Sequence, residues 1–144
     1  MLESKEISKS FISFPKYCIN LEIRGFDDYK TLEEKIENIV RTFAPGKKTN
    51  YARYNTDNQI QTILKGKTGF LGSSFEIVLQ YNDGDVAYLK ACSDISFLID
   101  FFSRISKEMK VDEQTKTTIE YFNKYLSNVL SLYNYPLWLT NSIM

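Results

Sequence analysis

The clearest alternation of apolar and polar positions lies between Phe75 and Cys92, FEIVLQYNDGDVAYLKAC. Period-two alternation predicts strands. Between the two runs stands Asp83-Gly84, a pair that accepts the positive φ angles of a type I′ turn. A two-residue loop predicts the pairing of Tyr81 with Val86, Leu79 with Tyr88, Ile77 with Lys90 and Phe75 with Cys92. The expected apolar face is therefore Phe75, Ile77, Leu79, Tyr81, Val86 and Tyr88. The opposite face, with Val78, Ala87, Leu89 and Ala91 among Glu76 and Gln80, is half apolar.

Lys16 to Phe26 alternates in the same way, with Tyr17, Ile19, Leu21 and Ile23 on one side and Cys18, Asn20, Glu22 and Arg24 on the other. A strand with one wet face is expected, ended by Gly25 and Asp27-Asp28. The period then changes. Leu32, Ile36, Ile39, Val40 and Phe43 recur at helical spacing, with Thr31 and Glu34 at capping-box distance and Pro45-Gly46 as the stop. Ile60, Ile63 and Leu64 fit a short helix closed by Gly66, or a strand. Past Cys92, Ser93 or Asp94 caps a helix with the stripe Ile95, Leu98, Ile99, Phe102, Ile105 and Met109. Phe97 and Phe101 widen that stripe, so the helix is expected to be buried on two sides. The last helix is expected from about Glu113 to Tyr133, with Pro136 ending it. Its seam is Ile119, Phe122, Leu126, Val129, Leu130 and Tyr133. This order predicts an α+β two-layer sandwich: a small, mainly antiparallel sheet including the 75–91 hairpin, packed by three to four helices.

At 144 residues the chain fits a single domain, 1–144, able to bury a core without staples. Two cysteines, Cys18 and Cys92, stand on expected strands and are expected to be free, buried thiols. The N-terminus has no basic stretch followed by an apolar core, so no signal peptide is expected. No run approaches the roughly 18 apolar residues of a membrane span. A cytoplasmic protein with no membrane contact is the expectation.

Formal net charge is zero, so no overall field draws the chain to nucleic acid. Locally, Ala44 to Thr68 carries five Lys or Arg and one acid, Asp57. There is no histidine, which removes the commonest general base and most zinc sites. No catalytic residue, cofactor site or metal site is therefore assigned. Asn82 to Asp85 resembles a calcium loop only in its first residues, since an apolar strand follows. Gly66-Lys67-Thr68 lacks the upstream glycine of a phosphate loop, because Gln61 stands in that place, and it leads into a strand.

Two surfaces remain. Lys47, Lys48, Tyr51, Arg53, Tyr54, Lys65 and Lys67 mix cations with rings, as a nucleic-acid-binding segment does. Tyr121, Tyr125, Tyr135 and Trp138 form a ring-rich C-terminal end, and Tyr and Trp dominate interface energetics. The expected function is a non-catalytic protein-interaction module, an adaptor, accessory subunit or inhibitor of the immunity type, binding another protein or a second copy of itself. A nucleic-acid-associated module using segment 47–67 is the alternative. A carboxylate-based enzyme is third.

Overall fold

The computed structural model describes residues 16–43, 50–56, 58–68, 73–82 and 84–143. Side chains at 68, 73 and beyond 132 are not described. The elements run β1 (Tyr17–Arg24), α1 (Tyr29–Phe43), β2 (Asn50–Thr56), β3 (Gln59–Thr68), β4 (Ser73–Tyr81), β5 (Val86–Ser93), α2 (Ile95–Glu108) and α3 (Glu113–Ile143). The class is α+β: five antiparallel strands in one sheet, ordered β1-β5-β4-β3-β2, with three helices among the described residues. Of the two readings of the Ile60–Leu64 stretch, helix or strand, the structure takes the strand. Ile60, Ile63 and Leu64 lie on β3, where Leu64 and Thr62 point into the core and Ile63 is only half buried. Within the basic segment, Asn50–Thr56 form strand β2.

First and last strands of the chain's sheet pair with each other, while β2 to β5 form a meander. The connection from β1 to β2 therefore crosses the whole sheet, about 19 Å at 4.8 Å per strand. Helix α1, with 15 residues, spans about 22 Å and makes that crossing. Asp28 caps it: its carboxylate accepts from the Thr31 amide at 2.8 Å and the Thr31 hydroxyl at 2.9 Å. The capping-box reading of Thr31 is thus corrected by three residues, because Asp28 is the side chain that reaches the free amides. Asp94 caps α2 through the Phe97 amide, and Asp112 caps α3 through the Thr115 amide, each at 2.8 Å.

The β4–β5 hairpin forms, but its register differs by one residue from the expected one. Tyr81 pairs with Ala87, Leu79 with Leu89, Ile77 with Ala91 and Glu76 with Cys92. A one-residue slip moves every side chain of one strand to the other face. The observed register buries Ala87, Leu89 and Ala91 opposite Leu79 and Ile77. The expected one would have set Lys90 against Ile77 in the core. Val86 and Tyr88 consequently leave the inner face, and Tyr88 is exposed. Gly84 takes a φ of 126° in the turn, where Tyr81 Oη donates to its carbonyl at 2.9 Å. Asp83 lies outside the described residues.

All three helices meet the same sheet face. Tyr29 of α1 reaches Thr62 and Leu79, Phe97 of α2 stacks on Phe75, and the start of α3 bonds to Arg24. The α2 stripe is buried on two sides as expected, with Phe97, Phe101 and Phe102 all inside. Rings link the layers: Phe75–Phe97 at 5.1 Å, Phe97–Phe101 at 5.7 Å and Phe102–Phe122 at 6.0 Å. Helix α3 does not stop at Pro136 but continues to Ile143. A proline removes one hydrogen bond and crowds one carbonyl, which weakens a helix without forbidding it.

The cysteines are not free. Cys18 and Cys92 are directly opposed in the β1–β5 register and form a disulfide, with Cα atoms 4.1 Å apart. Nor are they buried in the core, since Cys18 is exposed and Cys92 half buried. Both fall on the outer face, alternating with the core residues Leu21 and Ala91. Their separation of 74 residues conceals that opposition in the sequence. No described helix is long and apolar enough to cross a membrane.

Candidate interaction surfaces

Helix α3 is anchored at its start and along one side. The Asp112 amide donates to the Arg24 carbonyl at 2.8 Å, and the Arg24 amide donates to Thr115 Oγ1 at 3.1 Å. Ile119 and Leu126 are buried, Phe122 packs on Phe102, and Asn123 Nδ2 donates to Ser103 Oγ at 3.0 Å. Residues on the far side of the helix meet solvent. Tyr121 is 69% exposed, Tyr125 53% and Leu132 67%. They are spaced by four and seven residues, so they share one stripe. Leu132 was missing from the sequence reading, although its distance of seven from Tyr125 is a legible signal. Tyr135 and Trp138 lie among the residues whose side chains are not described.

The basic-aromatic segment is not brought together. Strand alternation sends its members to opposite faces. Tyr51 and Arg53 lie on the inner side, paired in register with Leu64 and Thr62. Tyr54, Lys65 and Lys67 take the outer side. Lys47 and Lys48 lie outside the described residues. Two of the cations are also engaged: Arg53 Nε meets Glu33 Oε2 at 2.9 Å, and Lys65 Nζ meets Glu76 Oε2 at 3.1 Å.

The Arg53 contact belongs to a polar knot inside the α1–sheet interface. Glu33 is buried, and it also accepts from the Thr62 hydroxyl. The Tyr29 hydroxyl lies 3.3 Å from Thr62 Oγ1. Burial pushes the Tyr29 phenol up to about 12, with the neighbouring Glu33 charge adding to the rise and the Thr62 contact opposing it. Tyr51 is raised too, by partial burial and by the Glu33 and Glu37 carboxylates. The hydrogen bond to Glu33 holds the Arg53 guanidinium above its ordinary value. These groups satisfy one another, which is what burying a carboxylate requires. They hold β2 against α1.

Other acids serve helix termini and a surface ion pair. Asp28 and Asp112 cap helices, and the bonds to Thr31 and Thr115 lower both carboxyls. Asp27 pairs with Lys110 at 2.8 Å. Among the described residues no group of three or more Cys, Asp or Glu is placed to hold a metal. A depression of about 610 Å³ opens on the outer sheet face, lined by Asn20, Gln61, Val78, Gln80, Tyr88 and Lys90 among others.

No family model matches this chain, and comparison with curated proteins gives no match.

Proposed function

We propose that the protein is a non-catalytic interaction module, of the adaptor, accessory-subunit or inhibitor kind, that docks through the outer stripe of α3. The observation that carries this reading is the exposure of Tyr121, Tyr125 and Leu132 on a helix whose opposite side is locked to its own core. A rigid helix presenting large, low-entropy rings is a ready docking element. Tyr135 and Trp138, from the same end of the chain, are assigned to the surface on sequence grounds. A cytoplasmic setting belongs to the proposal as well. There the Cys18–Cys92 bridge meets a reducing thiol pool.

Replacing Tyr121 and Tyr125 together by Ala tests the reading. Association, read by size-exclusion chromatography with light scattering and by capture of a purified host partner, should be lost while the unfolding midpoint stays in place. Retained association together with a lowered midpoint would assign the two rings to stability instead.

A further inference from the structure

We propose that the outer face of the sheet is a binding platform for single-stranded nucleic acid; this surface lies apart from the α3 stripe, so the inference does not rest on the docking reading above. The described helices all pack on the inner face. On the outer face, strand pairing sets the side chains in rows. One row, read from β2 to β1, is Tyr54, Gln61, Gln80, Tyr88 and Glu22. Its rings are open to solvent, Tyr54 at 57% and Tyr88 at 44%. Three strand spacings part them, about 14 Å, and the two glutamines lie between. The neighbouring row is Ala52, Ile63, Val78, Lys90 and Asn20. The outer-face depression lies over these two rows.

Each part suits an unpaired nucleotide. An exposed ring on an open sheet stacks on the flat face of a base, which is free only outside a duplex. Side-chain amides donate and accept at base edges. Among the described residues the amides of Asn20 and Gln61 make no hydrogen bond of their own. The basic-aromatic segment of the sequence set Tyr54 and Lys67 beside Tyr51 and Arg53. Strand pairing exchanges the latter two for Tyr88 and Lys90 of β5.

Charge points to a polyanion. The acids on the strands of this face are Glu22 and Glu76, and each is already paired, with Arg24 and Lys65 respectively, at 3.1 Å. Lys67 and Lys90 form no ion pair among the described residues. Lys16, beside β1, adds a further cation, donating to Ser74 Oγ of the same face. A chain of zero net charge therefore carries a positive excess here, which complements a phosphate backbone. A neutral sugar has no use for it.

Fluorescence anisotropy of the full chain with short labelled single strands, one of RNA and one of DNA, and with a duplex of the same sequence tests the platform. A single strand should bind with a micromolar dissociation constant at low salt, and the duplex at least about tenfold more weakly. Binding of either single strand supports the platform, and the two arms show whether the 2′-hydroxyl is read. Tyr54→Ala with Tyr88→Ala should raise the dissociation constant at least about tenfold. Lys67→Gln with Lys90→Gln should flatten the slope of log affinity against log salt by about 1.4, since each phosphate contact to a single strand contributes about 0.7. Unfolding midpoints should not move in either variant, because all four side chains are exposed. Tyr121→Ala with Tyr125→Ala should leave this binding unchanged, so the platform and the docking reading fail separately. No binding of either single strand at low salt overturns the platform, and so does binding that the Tyr54 and Tyr88 double variant leaves unweakened. Duplex binding as tight as single-strand binding overturns it too, as does salt-independent capture of a neutral oligosaccharide in place of the nucleic acid.

Discussion

The two faces of the sheet come from the same strands and are held by different physics. Leu21, Ile23, Leu64, Ile77, Leu79 and Leu89 line the inner face and are almost wholly buried. Their neighbours Asn20, Glu22, Lys65, Glu76, Tyr88 and Lys90 face outward. On the inner face, removal of apolar surface from water supplies the stabilisation, at roughly 25 cal/mol per Å². On the outer face, strand β1 is tied to β5 by a covalent bond, and Lys65 to Glu76 by an ion pair. Position on the pleat therefore decides what a residue contributes more than its type does. An Arg–Glu pair on the inner side is nearly dry at Glu33, while the Lys–Glu pair outside is wet.

The contrast is sharpest for a core leucine. Leu79→Ala should destabilise the chain by about 2–5 kcal/mol, as large-to-small core changes do. Chemical denaturation reads this directly, and an unmoved midpoint would show that the inner face is not where the stability lies. Next is the outer-face bridge. Cys18→Ser with Cys92→Ser should lower stability by about 2–4 kcal/mol, since a disulfide closing a long loop restrains the unfolded chain. A reductant should give a similar loss in the wild type and none in the double variant. Equal stability with and without reductant would mean that the bridge does not form in solution.

The two ion pairs provide a smaller but cleaner comparison. Glu33→Gln should destabilise by about 1–3 kcal/mol, because Thr62 and Arg53 lose a charged acceptor in a buried setting. Glu76→Gln should change stability by less than about 1 kcal/mol, as exposed pairs do. Equal effects would remove the distinction between the faces. The smallest expected effect is acid sensitivity at the caps. Asp28 and Asp112 are held below the ordinary carboxyl value by their bonds to Thr31 and Thr115. A lowered folded value means that their stabilisation is complete above the unfolded value of about 3.9 and is lost as pH falls through the folded one. Unfolding midpoints from neutral pH to pH 3 should therefore fall less steeply in Asp28→Asn than in the wild type.

Much of this was legible along the chain. Alternation from Tyr17 to Arg24 gives β1 with its buried side, and the stripes of Leu32–Val40 and Ile95–Ile105 give two helices with their inner faces. Each signal is local: a period, a cap or a stop repeats within a few residues, and the backbone reads it without help from the rest of the chain. For Ile60–Leu64 local preference was divided, and pairing with β2 and β4 on both sides settled it as strand. The exposed stripe of α3 was half legible, through Tyr121 and Tyr125.

What local pattern determined, then, was which segments are helix or strand and which side of most of them is apolar. The tertiary structure decided the rest. The hairpin register followed from the need to bury Ala87, Leu89 and Ala91 together with Leu21 and Ile23 of a distant strand. The same long-range pairing brought Cys18 against Cys92, and strand alternation parted Arg53 from Lys65 across the sheet. Such outcomes depend on which strands become neighbours, a choice made by the shared core rather than by any one stretch of sequence.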